Sequence, residues 1–126
     1  MVRVDSWAQA QAVLTDFAAR GLDPLTWQEH IPGREAKFYG VGPGRFLKAF
    51  WADTADGVPG RTLTALQELA RQAAQAAGVA VFGGDAILPP GQDWVLIDLN
   101  DWPSFSACRE AAAREIVQYV RQLWLI

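Results

Sequence analysis

The chain of 126 residues is poor in the groups that usually announce chemistry: it has one cysteine, Cys108, and one histidine, His30. One thiol excludes an intramolecular disulfide, which fits a reducing compartment. With His30 as the only imidazole, there is no histidine cluster for zinc and no Cys–His pair for nucleophilic catalysis beyond these two distant residues. Basic excess is missing too, since 11 Lys and Arg face 14 Asp and Glu for a net charge of -3. Nucleic-acid binding by phosphate neutralisation is therefore not expected. No apolar run approaches the ~20 residues of a membrane span. The first residues, Met1-Val2-Arg3-Val4-Asp5, hold no signal-peptide core, so the expected location is cytoplasmic, with no membrane partner. Neither a Walker-A pattern nor G-x-G-x-x-G after a strand occurs.

What is present suits a packed globule. Half the residues are apolar and six are tryptophan, most of them expected in a core. The length fits one domain, residues 1–126. A chain of this size buries roughly two-thirds of its extended surface and needs no cross-link to hold a core.

Ser6-x-x-Gln9 reads as a capping box. Trp7, Ala10, Leu14 and Phe17 follow at helical spacing, and Gly21 stops the run. Leu25 to Ile31 alternates and is expected to be a strand. Pro32-Gly33 and Gly42-Pro43-Gly44 bracket a second strand at Ala36–Val41, and Arg45–Trp51 reads as a third. Tight turns between them imply antiparallel pairing. After a loop over 52–60, Thr62 or Thr64 should cap a helix with Leu66, Leu69, Ala70, Ala73 and Ala77 on one face, ended by Gly78. Val79–Leu88 and Trp94–Leu99 are the fourth and fifth strands. A last helix from near Ser106 should turn Ala112, Ile116, Val120 and Leu123 inward. The sum is an α+β domain: an antiparallel sheet of about five strands with three helices packed on one face.

Chemistry concentrates at Asp85, Asp98 and Asn100. Asp98 and Asn100 are two apart in an apolar strand and leave the same face. With a hairpin loop at Pro90–Asp93, residue 89 pairs with 94, and counting outward sets Asp85 opposite Asp98. Cβ atoms of such a pair lie ~5 Å apart. Two carboxylates so close call for a shared proton or a cation. An added amide oxygen makes an all-oxygen set that suits Mg²⁺ or Mn²⁺ better than zinc. Gly83-Gly84 before Asp85 would let a ligand approach the strand closely. Two other readings compete. Asp and Asn are common at strand ends and turns. Paired carboxylates also serve glycoside hydrolysis, although Asn100 has no part in that mechanism and five strands offer no deep cleft.

The segment Val81-Phe82-Gly83-Gly84-Asp85-Ala86-Ile87, with Asp98-Leu99-Asn100-Asp101-Trp102-Pro103-Ser104-Phe105, resembles the end of ATP-grasp domains. There an acidic residue on one strand and an acidic-x-Asn motif on the next, followed by a Pro-containing loop, hold Mg²⁺ on ATP phosphates. The family usually has Glu-x-Asn where this chain has Asp98-x-Asn100. Trp27-Gln28-Glu29-His30-Ile31-Pro32-Gly33-Arg34-Glu35 resembles the family's hinge strand. The resemblance, over about residues 2 to 120, implies the C-terminal half of an ATP-grasp domain of the carboxylate–amine ligase or inositol polyphosphate kinase kind. It implies Mg²⁺ (or Mn²⁺) and ATP as cofactors, with metal ligands Asp85, Asp98 and Asn100. It further implies that Gln28, Glu29, His30 and Ile31 line the adenine pocket, that Glu35 meets the ribose, and that Lys37 serves the phosphates or acceptor as the candidate catalytic residue. The activity implied is phosphoryl transfer to a carboxylate or hydroxyl acceptor.

The family's glycine-rich N-terminal lobe has no counterpart before the first helix. The expectation is therefore a half-clamp that meets its other half elsewhere in a longer protein or in trans. The alternative is a non-catalytic remnant that self-associates as a homo-oligomer. His30 reads equally as a strand histidine without chemistry, Cys108 as a passive small side chain, and Lys48 and Arg61 as solvated charges.

Overall fold

The computed structural model describes residues 1–125. They fall into two compact units, Met1–Ile31 and Pro32–Ile126.

In the first unit, α1 spans Trp7–Ala19. Ser6 Oγ accepts from the Gln9 backbone N–H at 3.2 Å. Gln9 Oε1 accepts in return from the Asp5 N–H at 2.7 Å, so the expected reciprocal cap forms with its second arm one residue early. Gly21 takes φ +69°. The Gly21 N–H donates to the Ala18 carbonyl and the Leu22 N–H to the Phe17 carbonyl, which closes the helix in a Schellman arrangement. The expected strand at Leu25–Ile31 does not form; the segment is irregular and mostly exposed. Its alternation had nothing to face, because Trp27 on the nominal inner side is 58% exposed. Flanking prolines at 24 and 32 also remove ladder donors at both ends.

The second unit contains β1 (Arg34–Val41), β2 (Phe46–Trp51), α2 (Gly60–Ala77), β3 (Val81–Leu88), β4 (Val95–Asp101) and α3 (Arg109–Trp124). Its sheet has four antiparallel strands in the order β2-β1-β3-β4. The architecture is α+β, with four strands rather than about five.

Strand alternation divides the apolar side chains between two faces. One face carries Ala36, Phe38, Ala49, Trp51, Phe82 and Ala86, packed with Leu66, Ala70 and Ala74 of α2. The other carries Tyr39, Val41 and Val81, packed with Phe105, Cys108 and Ala112, and with Ile116 and Tyr119 of α3. The two helices therefore cover opposite faces, not one. A sheet with apolar residues at consecutive positions, as in Phe38-Tyr39, must be covered on both sides.

Several boundaries shift with this packing. α2 begins at Gly60 behind Pro59 without a side-chain cap, earlier than Thr62 or Thr64. Its last turn closes at Gly78 as expected. α3 begins at Arg109, and its buried stripe ends on Tyr119. Val120 and Leu123 stand exposed instead of facing inward. Only Trp51 and Trp94 are buried among the six tryptophans. They stack at 5.6 Å between ring centroids, and the Trp94 indole N–H donates to the Thr62 carbonyl at 2.9 Å. Arg34 lies over Trp51, 4.0 Å from its ring centroid, and reaches Asp53 with two nitrogens.

Candidate metal centre

α3 covers only the Tyr39–Val41 end of its sheet face. Beyond it, toward the other end of β1, the same face carries Glu35 and Lys37 on β1, Asp85 on β3, and Asp98 and Asn100 on β4, beside the apolar Phe50 on β2 and Ile87 on β3. Lys37 is paired with Asp85, and Asp85 with Asp98, so the three form one row across the strands. Tyr39, Gly83 and Asn100 form the next row. Lys37 Nζ donates to Asp85 Oδ1 at 2.9 Å. Asn100 Nδ2 donates to Asp98 Oδ2 at 2.6 Å. Burial opposes the charge on Lys37, but the bond to Asp85 outweighs it and holds the ammonium above its ordinary pKa, with Asp85 and Glu35 adding through-space attraction.

Asp85 does stand opposite Asp98, but not by the counted hairpin. Near the turn the register is one residue off the expected one: Ile87 faces Val95 and Ala86 faces Leu96. Ile97 then has no partner, and the ladder resumes at Asp85–Asp98. This β-bulge inverts the alternation of β4. Leu96 and Leu99, three apart, both reach the α2 face, and Asp98 and Asn100 take the other.

The two glycines of β3 make room for protein, not for a ligand. A Cβ on Gly83 would lie 2.8 Å from Pro103 Cγ. A Cβ on Gly84 would run into the Asp98 carbonyl oxygen and lie 2.7 Å from Phe38 Cζ. Pro103 belongs to a loop in which Trp102 and Phe105 adopt φ of 45° and 52°. Phe105 anchors that loop against Tyr39, with ring centroids 5.7 Å apart.

Lys37, Tyr39, Gly83, Asp85, Asn100 and Ser104 line an open depression of about 150 Å³. Pockets for whole small ligands usually run ~300–1,000 Å³. The depression thus has room for an ion and a phosphate-sized group and not for a nucleotide. Of the oxygen donors that suit a hard cation, the Asp85 carboxylate and the Asn100 amide line the depression, and Asp98 stands opposite Asp85 in the row, outside the lining. Among the described residues, no three of His, Cys, Asp and Glu gather as a metal cage. The set is two carboxylates and an amide, with a lysine in competition for one carboxylate.

The remaining candidates stand apart from this row or outside the second unit. Gln28, Glu29, His30 and Ile31 belong to the first unit, where His30 Nε2 lies 3.2 Å from Arg3 Nη1. Glu35 is exposed on β1, two residues from Lys37 on the same face. Burial pushes the Cys108 thiol up, as suits a passive side chain. Sequence reasoning missed Ser104, Pro103 and the bulge at Ile97. The loop after Asn100 signalled the first two through its proline, and the apolar run before Asp98 signals the third only once the turn register is known.

No family model matches the chain, and no curated protein matches it in sequence. Among the described residues no helix is long and apolar enough to cross a membrane.

Proposed function

We propose that the chain is an ATP-grasp-like Mg·ATP-binding unit of a ligase or kinase that transfers a phosphoryl group to a carboxylate or hydroxyl acceptor. The observation that supports this reading is the row Lys37–Asp85–Asp98, with Asn100 beside it, on the part of a sheet face that α3 leaves open. Asp85, Asp98 and Asn100 would hold Mg²⁺ or Mn²⁺ through oxygen. Lys37, released from Asp85, would meet a phosphate oxygen. A bound divalent ion would supply charge neutralisation between phosphate oxygens, in a reaction where catalysis is mostly positioning and electrostatics. The size of the depression agrees with a site for the phosphate end alone. Acceptor recognition and the closing surface would then come from a second lobe, in the same polypeptide or in trans. Gln28, Glu29, His30, Ile31 and Glu35 enter as nucleotide contacts through the family resemblance alone. A cytoplasmic location, where Mg·ATP is at hand, belongs to the same proposal.

Calorimetry with Mg·ATP tests binding. Heat at sub-millimolar ligand that disappears in Asp98→Ala is the expected result, and no heat at millimolar ligand refutes nucleotide binding by this chain. ADP release that depends on Asp98 would extend the reading to turnover.

A second reading, a non-catalytic module that self-associates, draws on α3. Val117, Val120, Leu123 and Trp124 are all exposed along that helix, and such apolar stripes are commonly covered by a second chain. Sedimentation as a strict monomer at high concentration counts against it.

A further inference from the structure

We draw no further inference here: the strongest candidate, the exposed apolar stripe of Val117, Val120, Leu123 and Trp124 along α3, is an unpartnered helix face, and nothing in the structure shows what covers it.

Discussion

Replacing Lys37 with methionine removes the one cation that competes with a metal for Asp85, and the sign of its effect separates two ligands. The ammonium lies 2.9 Å from Asp85 Oδ1. A divalent cation on the same carboxylate would bind at ~2.1–2.5 Å from an oxygen. The Lys37 side chain is 53% exposed and can swing away, so a separation of ~5–7 Å from the ion is realistic. At that range the repulsion between a single and a double charge is ~1–2 kcal/mol in bulk water, and physiological salt screens it to about half. Mn²⁺ alone should therefore bind Lys37→Met roughly 2–5-fold more tightly than the wild type. Mg·ATP should change in the opposite sense. A charge-assisted bond to phosphate is worth about 1.5–3 kcal/mol, so nucleotide affinity should fall by about 10- to 100-fold. Relaxation titration with Mn²⁺ and calorimetry with Mg·ATP read the two arms on one preparation. The ion pair is exposed enough that folding should change by less than about 1 kcal/mol, which a thermal melt checks. Unchanged Mn²⁺ binding in Lys37→Met, or weaker Mn²⁺ binding without weaker nucleotide binding, would refute a cation at Asp85. Weaker Mn²⁺ with weaker nucleotide would mean that the substitution had only damaged the sheet.

Leu66 is fully buried between α2 and the sheet, and Leu66→Ala should cost about 2–5 kcal/mol in urea denaturation; a loss under 1 kcal/mol would mean that α2 is not seated on that face. Glu68 is held down to about 2 chiefly by its hydrogen bond from Arg71, with a second from Gln72. A carboxylate depressed in the folded state stabilises above its unfolded pKa, and the contribution is lost as pH falls from 4.5 through about 2. Glu68→Gln should thus flatten the acid limb of a stability–pH curve over that window and leave neutral pH little changed. A variant with the same slope as the wild type between those values would show that the pair does not persist in solution.

The fold was legible where a local signal coincided with a tertiary need. Ser6, Gln9 and Gly21 delimit α1 by capping alone, and Gly78 closes α2 the same way. Pro43 and its flanking glycines make the β1–β2 turn wherever the strands go. Leu25–Ile31 shows the opposite case. Its alternation is as regular as that of a strand, but alternation is only permission. A strand also needs a partner strand and a face to bury; Leu25–Ile31 joins no ladder and Trp27 is 58% exposed. The exposure of four tryptophans and of Val120 and Leu123 has the same root. Composition says how much apolar surface a chain carries, whereas three helices and four strands decide how much of it can be hidden.

For the candidate site, two errors cancelled. Pairing residue 89 with 94 predicted Asp85 opposite Asp98, and the true turn is one residue different. Had the ladder continued from Ala86–Leu96 without interruption, Asp85 would face Ile97, and Asp98 would enter the α2 face against Phe38. A bare carboxylate there, without a partner, would cost several kcal/mol. That penalty, set against the modest cost of one unpaired residue, forces the bulge. Val95-Leu96-Ile97-Asp98-Leu99-Asn100 cannot satisfy the turn and both faces with strict alternation. The conflict was visible in the sequence as three consecutive apolar residues before an acidic one; what was missing was the turn register that makes it a conflict. Register is a non-local quantity, set here by which side chains of β4 each face of the sheet can hold. A pairing count in a hairpin that carries polar residues on one face is therefore safest when made from the polar residues outward. Their exclusion from the core is worth more than the geometry of any single turn.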